Sequence, residues 1–251
     1  MDKLTQILKE ISDNFKWQVY IGFELEFYLV NVTKSSLQPF LTNFLQKYPM
    51  CLIEEEKGTN QFEIKIKHTN DILNLITNTN EIKEYLLNEA SLYNMIADFS
   101  SKPFACEPGS SLHVNISLHD ANGNIYAKKG ATESHYLLYS IGGLCKYMLE
   151  DLDIFLPEQK DFSRIVPKQN SPTTVSWGGN NRTVAIRVPT TDPINRRIEH
   201  RVPSANADPR KTVEAILFAI IDGINNQIQP PNKIYGDASL ASYALKPLTP
   251  L

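Results

Sequence analysis

No stretch of this chain is apolar for long enough to cross a membrane. The longest unbroken apolar run is Ala215-Ile-Leu-Phe-Ala-Ile-Ile221, against the ~20 residues a spanning helix requires. A surplus of positive charge is also missing. Lysine and arginine number 25 against 28 aspartates and glutamates, a net charge of −3, so neither a nucleic-acid nor a membrane partner is expected. The first residues, Met-Asp-Lys-Leu-Thr-Gln, lack a basic segment followed by an apolar one, so no secretory signal is read and the cytoplasm is the expected location. Cysteine is scarce. Cys51, Cys106 and Cys145 are odd in number and far apart, which argues against a disulfide framework or a thiolate metal site and predicts reduced thiols. There is neither an internal repeat nor a low-complexity tract.

What remains is ordinary for a globular protein, 42% hydrophobic and 21% charged, and is expected to fold as one domain over 1–251. Leu4, Ile7, Leu8 and Ile11 predict an amphipathic helix within 2–15, the core of an N-terminal helical segment over 1–18. A strand follows over 19–31, then a helix from Phe40 to Tyr48 ended by Pro49. Residues 51–67 predict two strands joined around Lys57-Gly-Thr-Asn60. Helix is predicted from Thr69 to Phe99 with a break at Thr77-Asn-Thr-Asn80, then a loop over 102–111 and a strand over 112–118. Ala121-Asn-Gly-Asn124 reads as a turn, and 131–151 as containing a helix whose Gly142-Gly143 pair predicts close helix packing. Residues 157–180 predict a long functional loop or mobile flap. Strands over 182–189 and 197–202 precede a helix from Thr212 to Ile228, and a loosely attached tail is expected over 229–251. The interleaving predicts an α+β domain with a mostly antiparallel sheet.

Several of these strands are apolar on one face and chemically armed on the other. Period two sets Arg197, Glu199 and Arg201 against Ile198, His200 and Val202. It sets Glu24 and Glu26 against Phe23, Leu25 and Phe27, and His113, Asn115 and Ser117 against Leu112, Val114, Ile116 and Leu118. Gln61-Phe-Glu-Ile-Lys65 repeats the pattern. Carboxylates converging from two segments would repel one another at short range, which divalent cations would relieve; oxygen sets with one imidazole suit Mg²⁺ or Mn²⁺.

From about Gly22 to about Asp222 the chain resembles the catalytic domain of glutamine synthetases. The resemblance is carried by Glu24-x-Glu26, by Glu55 followed eight residues later by the Glu63 of Gln-Phe-Glu, and by Gly109-Ser-Ser-Leu-His-Val. It continues through Asn181-Arg-Thr-Val-Ala-Ile-Arg-Val-Pro and Arg196-Arg-Ile-Glu-x-Arg201. It implies a glutamine synthetase/guanido kinase-like fold, a curved, mostly antiparallel sheet with helices on its outer face. It further implies one ion held by Glu26, Glu55 and Glu63, another held by Glu24, His113 and Glu199, and ATP as a substrate. By the same resemblance Arg182 and Arg187 would act in phosphoryl transfer. Asn115, Ser117, Arg187 and Arg197 would bind the nucleotide, while Gly109, Arg164 and Arg201 would hold glutamate. The implied partners are ATP, glutamate and an amine.

Departures accompany the match. Six residues after Arg164 the family places a glutamate that acts as base and guards the intermediate; here the position is Asn170, an amide that cannot accept a proton near neutral pH. Only about twenty residues precede Glu24-x-Glu26, where the family carries an N-terminal β-grasp domain, so a monomer or small homo-oligomer is expected in place of the family's dodecamer. Asn115 replaces a histidine and Pro108 an asparagine. Two readings stay open: a metal- and ATP-dependent glutamate–amine ligase with weak ammonia activation, or a paralogue that binds nucleotide, metal or glutamate without catalysis.

Overall fold

The computed structural model describes residues 2–127, 133–167 and 169–249; the parts of the predicted segments that fall on 1, 131–132, 168 and 250–251 lie outside the described residues. The centre of the fold is β1 (Gln18–Val30), whose back-face Phe23, Leu25 and Phe27 are all but fully buried. It pairs antiparallel with β3 (Gln61–Thr69) on one side and β5 (Leu112–Asp120) on the other. Beyond β3 lies β2 (Cys51–Glu55), and beyond β5 come β9 (Ile198–His200), β8 (Ile186–Arg187) and β7 (Trp177–Gly178). Two short strands, β4 (Ile96–Asp98) and β6 (Gly123–Asn124), pair with the ends of β1 and β5. Among the described strands β7 and β8 pair parallel and the other pairs are antiparallel, so the chain has an α+β architecture around a mostly antiparallel open sheet.

Helices α1 (Lys3–Glu10), α2 (Lys34–Lys47), α3 (Ile72–Leu92), α4 (His135–Tyr147), α5 (Leu152–Phe155) and α6 (Pro209–Asn225) complete the core. The first is prolonged by one wider turn over Ile11–Phe15. Among the described residues no helix is long and apolar enough to cross a membrane. The glycines of α4 do mark close packing: a Cβ on Gly143 would lie 1.9 Å from the Ala219 carbonyl oxygen of α6.

Several predicted segments differ. The second helix starts at Lys34, because Thr33 and Ser36 form a capping box, and it carries Pro39 within its first two turns. The third runs unbroken through Thr77-Asn-Thr-Asn80, where Thr77 and Thr79 turn their hydroxyls back onto the carbonyls of Leu73 and Leu75. The Met95–Phe99 stretch leaves the helix and gives β4 instead. The C-terminal tail is tied down: Ile234 and Leu248 donate to the carbonyls of Trp177 and Thr173, Val175 donates to Lys246, and Ile234, Ala238 and Val184 form a small buried cluster.

Candidate active site

The front of the sheet carries its acids in register. Glu26 lies opposite Glu63, Glu24 lies opposite His113, and Asn115 lies opposite Glu199. Ligand atoms of Glu24, Glu63 and His113 fall within 4.8 Å of one another, and so do those of Glu26, Glu56 and Glu63. Glu63 therefore belongs to both clusters. Burial, then the charges of Glu24, Glu26 and Glu56, push its carboxyl up to about 7. Glu24 behaves oppositely: burial disfavours its charge, but His113, the Asn115 amide and Arg197 outweigh that and draw it down to about 2.

The expected place of Glu55 in this group is corrected by the register. Glu54 pairs with Glu63 and Glu55 with Phe62, and directly paired residues share a face, so Glu55 turns to the opposite side and is exposed. One residue further on, Glu56 returns to the front and joins Glu26 and Glu63. Glu54 also lines the cleft, where Lys65 neutralises it at 2.5 Å.

His113 is oriented from behind. Ser111 gives its hydroxyl hydrogen and its amide N–H to Glu26, at 2.6 and 2.8 Å, so its oxygen accepts from His113 Nε2 at 2.8 Å. The other ring nitrogen, Nδ1, is buried without a hydrogen-bond partner, 3.4 Å from Glu24 and 3.8 Å from Glu199. Either a proton on Nδ1 or a cation shared with these carboxylates supplies the missing positive charge. An all-oxygen set completed by one imidazole fits a hard divalent ion, so the residues present suit the metal that the sequence implies.

Arginines close the other side. Glu199, on β9, is held by Arg187 at 2.6 Å and by Arg201 at 2.5 Å; burial opposes its ionisation, and Arg201, His113 and Arg187 together keep its carboxyl below the usual range. Arg201 also donates to the Asn170 carbonyl at 3.0 Å, and Asn170 sits in the left-handed backbone region at φ 56°. Arg164, almost fully buried, donates to the Val202 carbonyl and packs so tightly on Gly109 that a Cβ there would fall 2.2 Å from its Cγ. Burial lowers the Arg164 guanidinium to about 10, so it remains a cation at neutral pH. The Nε groups of Arg164, Arg187 and Arg201 are buried and have no hydrogen-bond partner in this structure. Arg182 stands exposed in the turn before β8 and lines the same cleft.

These groups share a cavity of about 310 Å³, lined by five arginines (164, 182, 187, 197 and 201) and by Glu24, Glu26, Glu56, Glu63, His113 and Glu199, with Gly109 and Asn170 at its wall. A second cavity of about 590 Å³ adjoins it through Glu24, Lys65 and Arg197 and takes in Asn115, Ser117, Tyr20, His68 and His119. Arg197 donates to Asn115 at 2.8 Å, and Asn115 donates to Glu24 at 3.2 Å, so the two cavities share one hydrogen-bonded wall. Of the expected residues, only Glu55 is turned away from both. Glu56 and Ser111 were missed, although the parity of Glu54 and Glu56 about the Lys57–Asn60 turn could have pointed to the first.

An open, mostly antiparallel sheet thus presents, on its front face, two acidic clusters in a cleft walled by arginines. The chain belongs to the glutamine synthetase family: the description "Glutamine synthetase, catalytic domain" matches residues 46–247. It is 31% identical over 194 residues to the γ-glutamylputrescine synthetase PuuA of Escherichia coli K12, covering 77% of this chain and 41% of that protein. It is 33% identical over 180 residues to the glutamine synthetase of Pyrococcus horikoshii, covering 71% and 40%. The chain thus spans about 40% of the length of these relatives. Among solved structures, a GmaS/ADP complex superposes with TM-score 0.82 at 21% identity, covering 98% of this chain and 64% of the other. The glutamine synthetase of Plasmodium falciparum gives 0.84 at 21%, covering 94% and 57%. At that identity the two structures speak to the fold alone.

Proposed function

We propose that this cleft ligates glutamate to an amine at the expense of ATP, with Mg²⁺ or Mn²⁺ bound, and that ammonium is a poor acceptor. The observation that carries the reading is the pair of acidic clusters joined at Glu63 in one cavity with five arginines. Glu26, Glu56 and Glu63 would hold one ion, and Glu24, His113 and Glu199 another; when bound, such ions supply charge neutralisation at the phosphates. Glutamate's carboxylates fit Arg201 and Arg164, whose forked donors fix orientation as well as affinity. Arg182, Arg187 and Arg197 face the transferring phosphoryl group, with Asn115 and Ser117 alongside the nucleotide. The side-chain carboxylate of glutamate attacks the γ-phosphorus and ADP leaves. An ammonium acceptor must first lose a proton to become a nucleophile; the neutral amine then attacks the resulting acyl carbon, phosphate departs as the leaving group, and the new amide nitrogen gives up a further proton to the departing phosphate.

That first proton is where the chain is weakest, since Asn170 offers an amide where a base is needed. An acceptor that arrives as the free amine does not need this base, and the likeness to a γ-glutamylputrescine synthetase supports amines other than ammonia. The test is ADP release with and without glutamate across a panel of amines, with γ-glutamyl amides identified by mass. Release that requires both glutamate and an organic amine is expected. Asn170 also favours a second reading, a nucleotide- and metal-binding protein without turnover; tight Mg-ATP binding with no ADP released under any condition would establish that reading instead.

A further inference from the structure

Behind the acidic cluster two loops are stitched together by side chains that hold no substrate in the reading above. Gln61 is 2% exposed; its Oε1 accepts from the Gly58 N–H at 3.0 Å and its Nε2 donates to the Gly109 carbonyl at 3.0 Å. Both bonds demand the same amide orientation, because the reversed amide would set donor against donor and acceptor against acceptor. Tyr28, fully buried, donates to the Pro108 carbonyl at 2.8 Å. Glu107 accepts from the Thr59 N–H and hydroxyl at 3.3 and 2.9 Å. Gly58 has no room for a side chain, since a Cβ would lie 2.1 Å from Tyr28 Oη. The turn also closes on itself, with the Glu56 N–H on the Gln61 carbonyl at 2.8 Å.

We infer that Gln61 is a positioning residue that couples the Glu56–Glu63 turn to the 107–109 segment, so that filling the Glu26/Glu56/Glu63 cluster with a divalent cation also orders the loop carrying Gly109. This rests on the proposed reading of that cluster as a metal site. A cation fixes Glu56 and Glu63 relative to Glu26, which fixes the turn between them. The turn reaches Gly109 through the Gln61 amide, and Gly109 packs on Arg164. Coupling of this kind is reciprocal and typically about 5–150-fold in affinity, so glutamate in turn tightens cation binding.

Hydrogen exchange with Mn²⁺ alone as the probe tests the idea without requiring turnover. In the wild type Mn²⁺ should slow exchange in residues 54–63 and in 101–109; Ser111 is left out because it bonds Glu26 directly. In Gln61→Met the slowing over 54–63 should persist while that over 101–109 falls by about fivefold or more. Tyr28→Phe, a milder change, should lose part of the 101–109 effect and covers the case in which Gln61→Met does not fold. The KM for glutamate should rise about tenfold in Gln61→Met with kcat within about threefold, the split expected when ground-state positioning is lost. Undiminished slowing over 101–109 in both variants overturns the inference. So does loss of the effect over both segments in Gln61→Met, which would make Gln61 merely a prop of the turn. A wild type in which Mn²⁺ slows neither segment would show that the metal reading itself is wrong, and the coupling falls with it.

Discussion

The cleft has two halves built on different principles. Glu24, Glu26, Glu63, His113 and Asn115 stand on the long paired strands β1, β3 and β5, where the register fixes which residues meet and the apolar back face fixes which way they point. Arg164, Asn170, Arg182 and Arg201 stand on loops or strand ends, held by a few contacts: Arg201 on Glu199 and the Asn170 carbonyl, Arg164 on the Val202 carbonyl. The sheet-borne half gathers charge that repels unless a cation is present. In the loop-borne half Arg164 and Arg201 supply cationic donors whose buried Nε groups have no hydrogen-bond partner in this structure. Each half has what the other's ligands require, so a metal-bound nucleotide and a carboxylate substrate would satisfy both.

The largest effects should come from breaking the sheet-borne half. Glu63→Gln touches both clusters and should cost about 2–5 kcal/mol of Mn²⁺ binding energy, the range for removing one partner of a buried charge set. Glu56→Gln should weaken one ion only, and Glu55→Gln should leave the titration within about twofold, as expected of an exposed surface group. Calorimetry with Mn²⁺ ranks the three, and a large loss at Glu55 with none at Glu56 would mean that the β2 register is wrong. On the other half, Arg201→Ala should weaken glutamate binding by about 2–5 kcal/mol and nucleotide binding much less, with Arg187→Ala doing the reverse. Both arginines also pair Glu199, so equal losses of both ligands in both variants would show that Glu199, not the division of labour, is what they serve.

The same contrast explains how much could be read from the sequence. Period two on β1, β5 and β9 placed Glu24, Glu26, His113, Asn115 and Glu199 on one face, because alternation along a half-buried strand is a local property. The family resemblance failed at Glu55, where a matching interval of eight residues overrode the parity set by the turn, although Glu54 and Glu56 are the residues in phase with Glu63. Period two put Gln61 on the armed face but gave no role for it or for Ser111, because those roles depend on which loop lies beside which strand. The tail was misjudged for a similar reason: several of its anchors are backbone bonds to 173–177, and a backbone bond leaves no trace in side-chain pattern.

A smaller effect should come from rearming the loop-borne half. Asn170→Glu supplies the carboxylate that proton removal from ammonium requires, and general-base catalysis contributes about 10²–10⁴-fold. A gain near the low end in glutamine formed per unit time is expected, because Asn170 now holds its left-handed backbone at φ 56°, which asparagine tolerates better than glutamate. ADP release with an organic amine should change far less. A gain of equal size with both acceptors would place the effect on the phosphoryl step and would break the separation of the halves.

The smallest effect concerns what holds the loop-borne half in place. Lys83, on α3, donates to the Ala205 carbonyl at 2.6 Å, just past Arg201 in the chain, and burial lowers its ammonium to about 8 despite the opposing pull of Asp208. A lysine whose pKa falls from 10.5 to about 8 on folding carries a penalty that is full below 8 and fades as pH rises toward 10.5. The stability of the wild type relative to Lys83→Met should therefore increase across that window, by at most about 1.4 kcal/mol per pH unit. Cys51 and Cys145, pushed by burial up to about 11 and about 12, make both proteins less stable above pH 9, but that loss is common to the pair and cancels in the difference. Denaturant titrations at pH 7, 8, 9 and 10 read the difference directly. Mn²⁺ affinity should be the same in the two proteins at each pH, since Lys83 anchors the arginine wall and not the acidic strands; a parallel loss of Mn²⁺ binding would mean that the two halves are one mechanical unit.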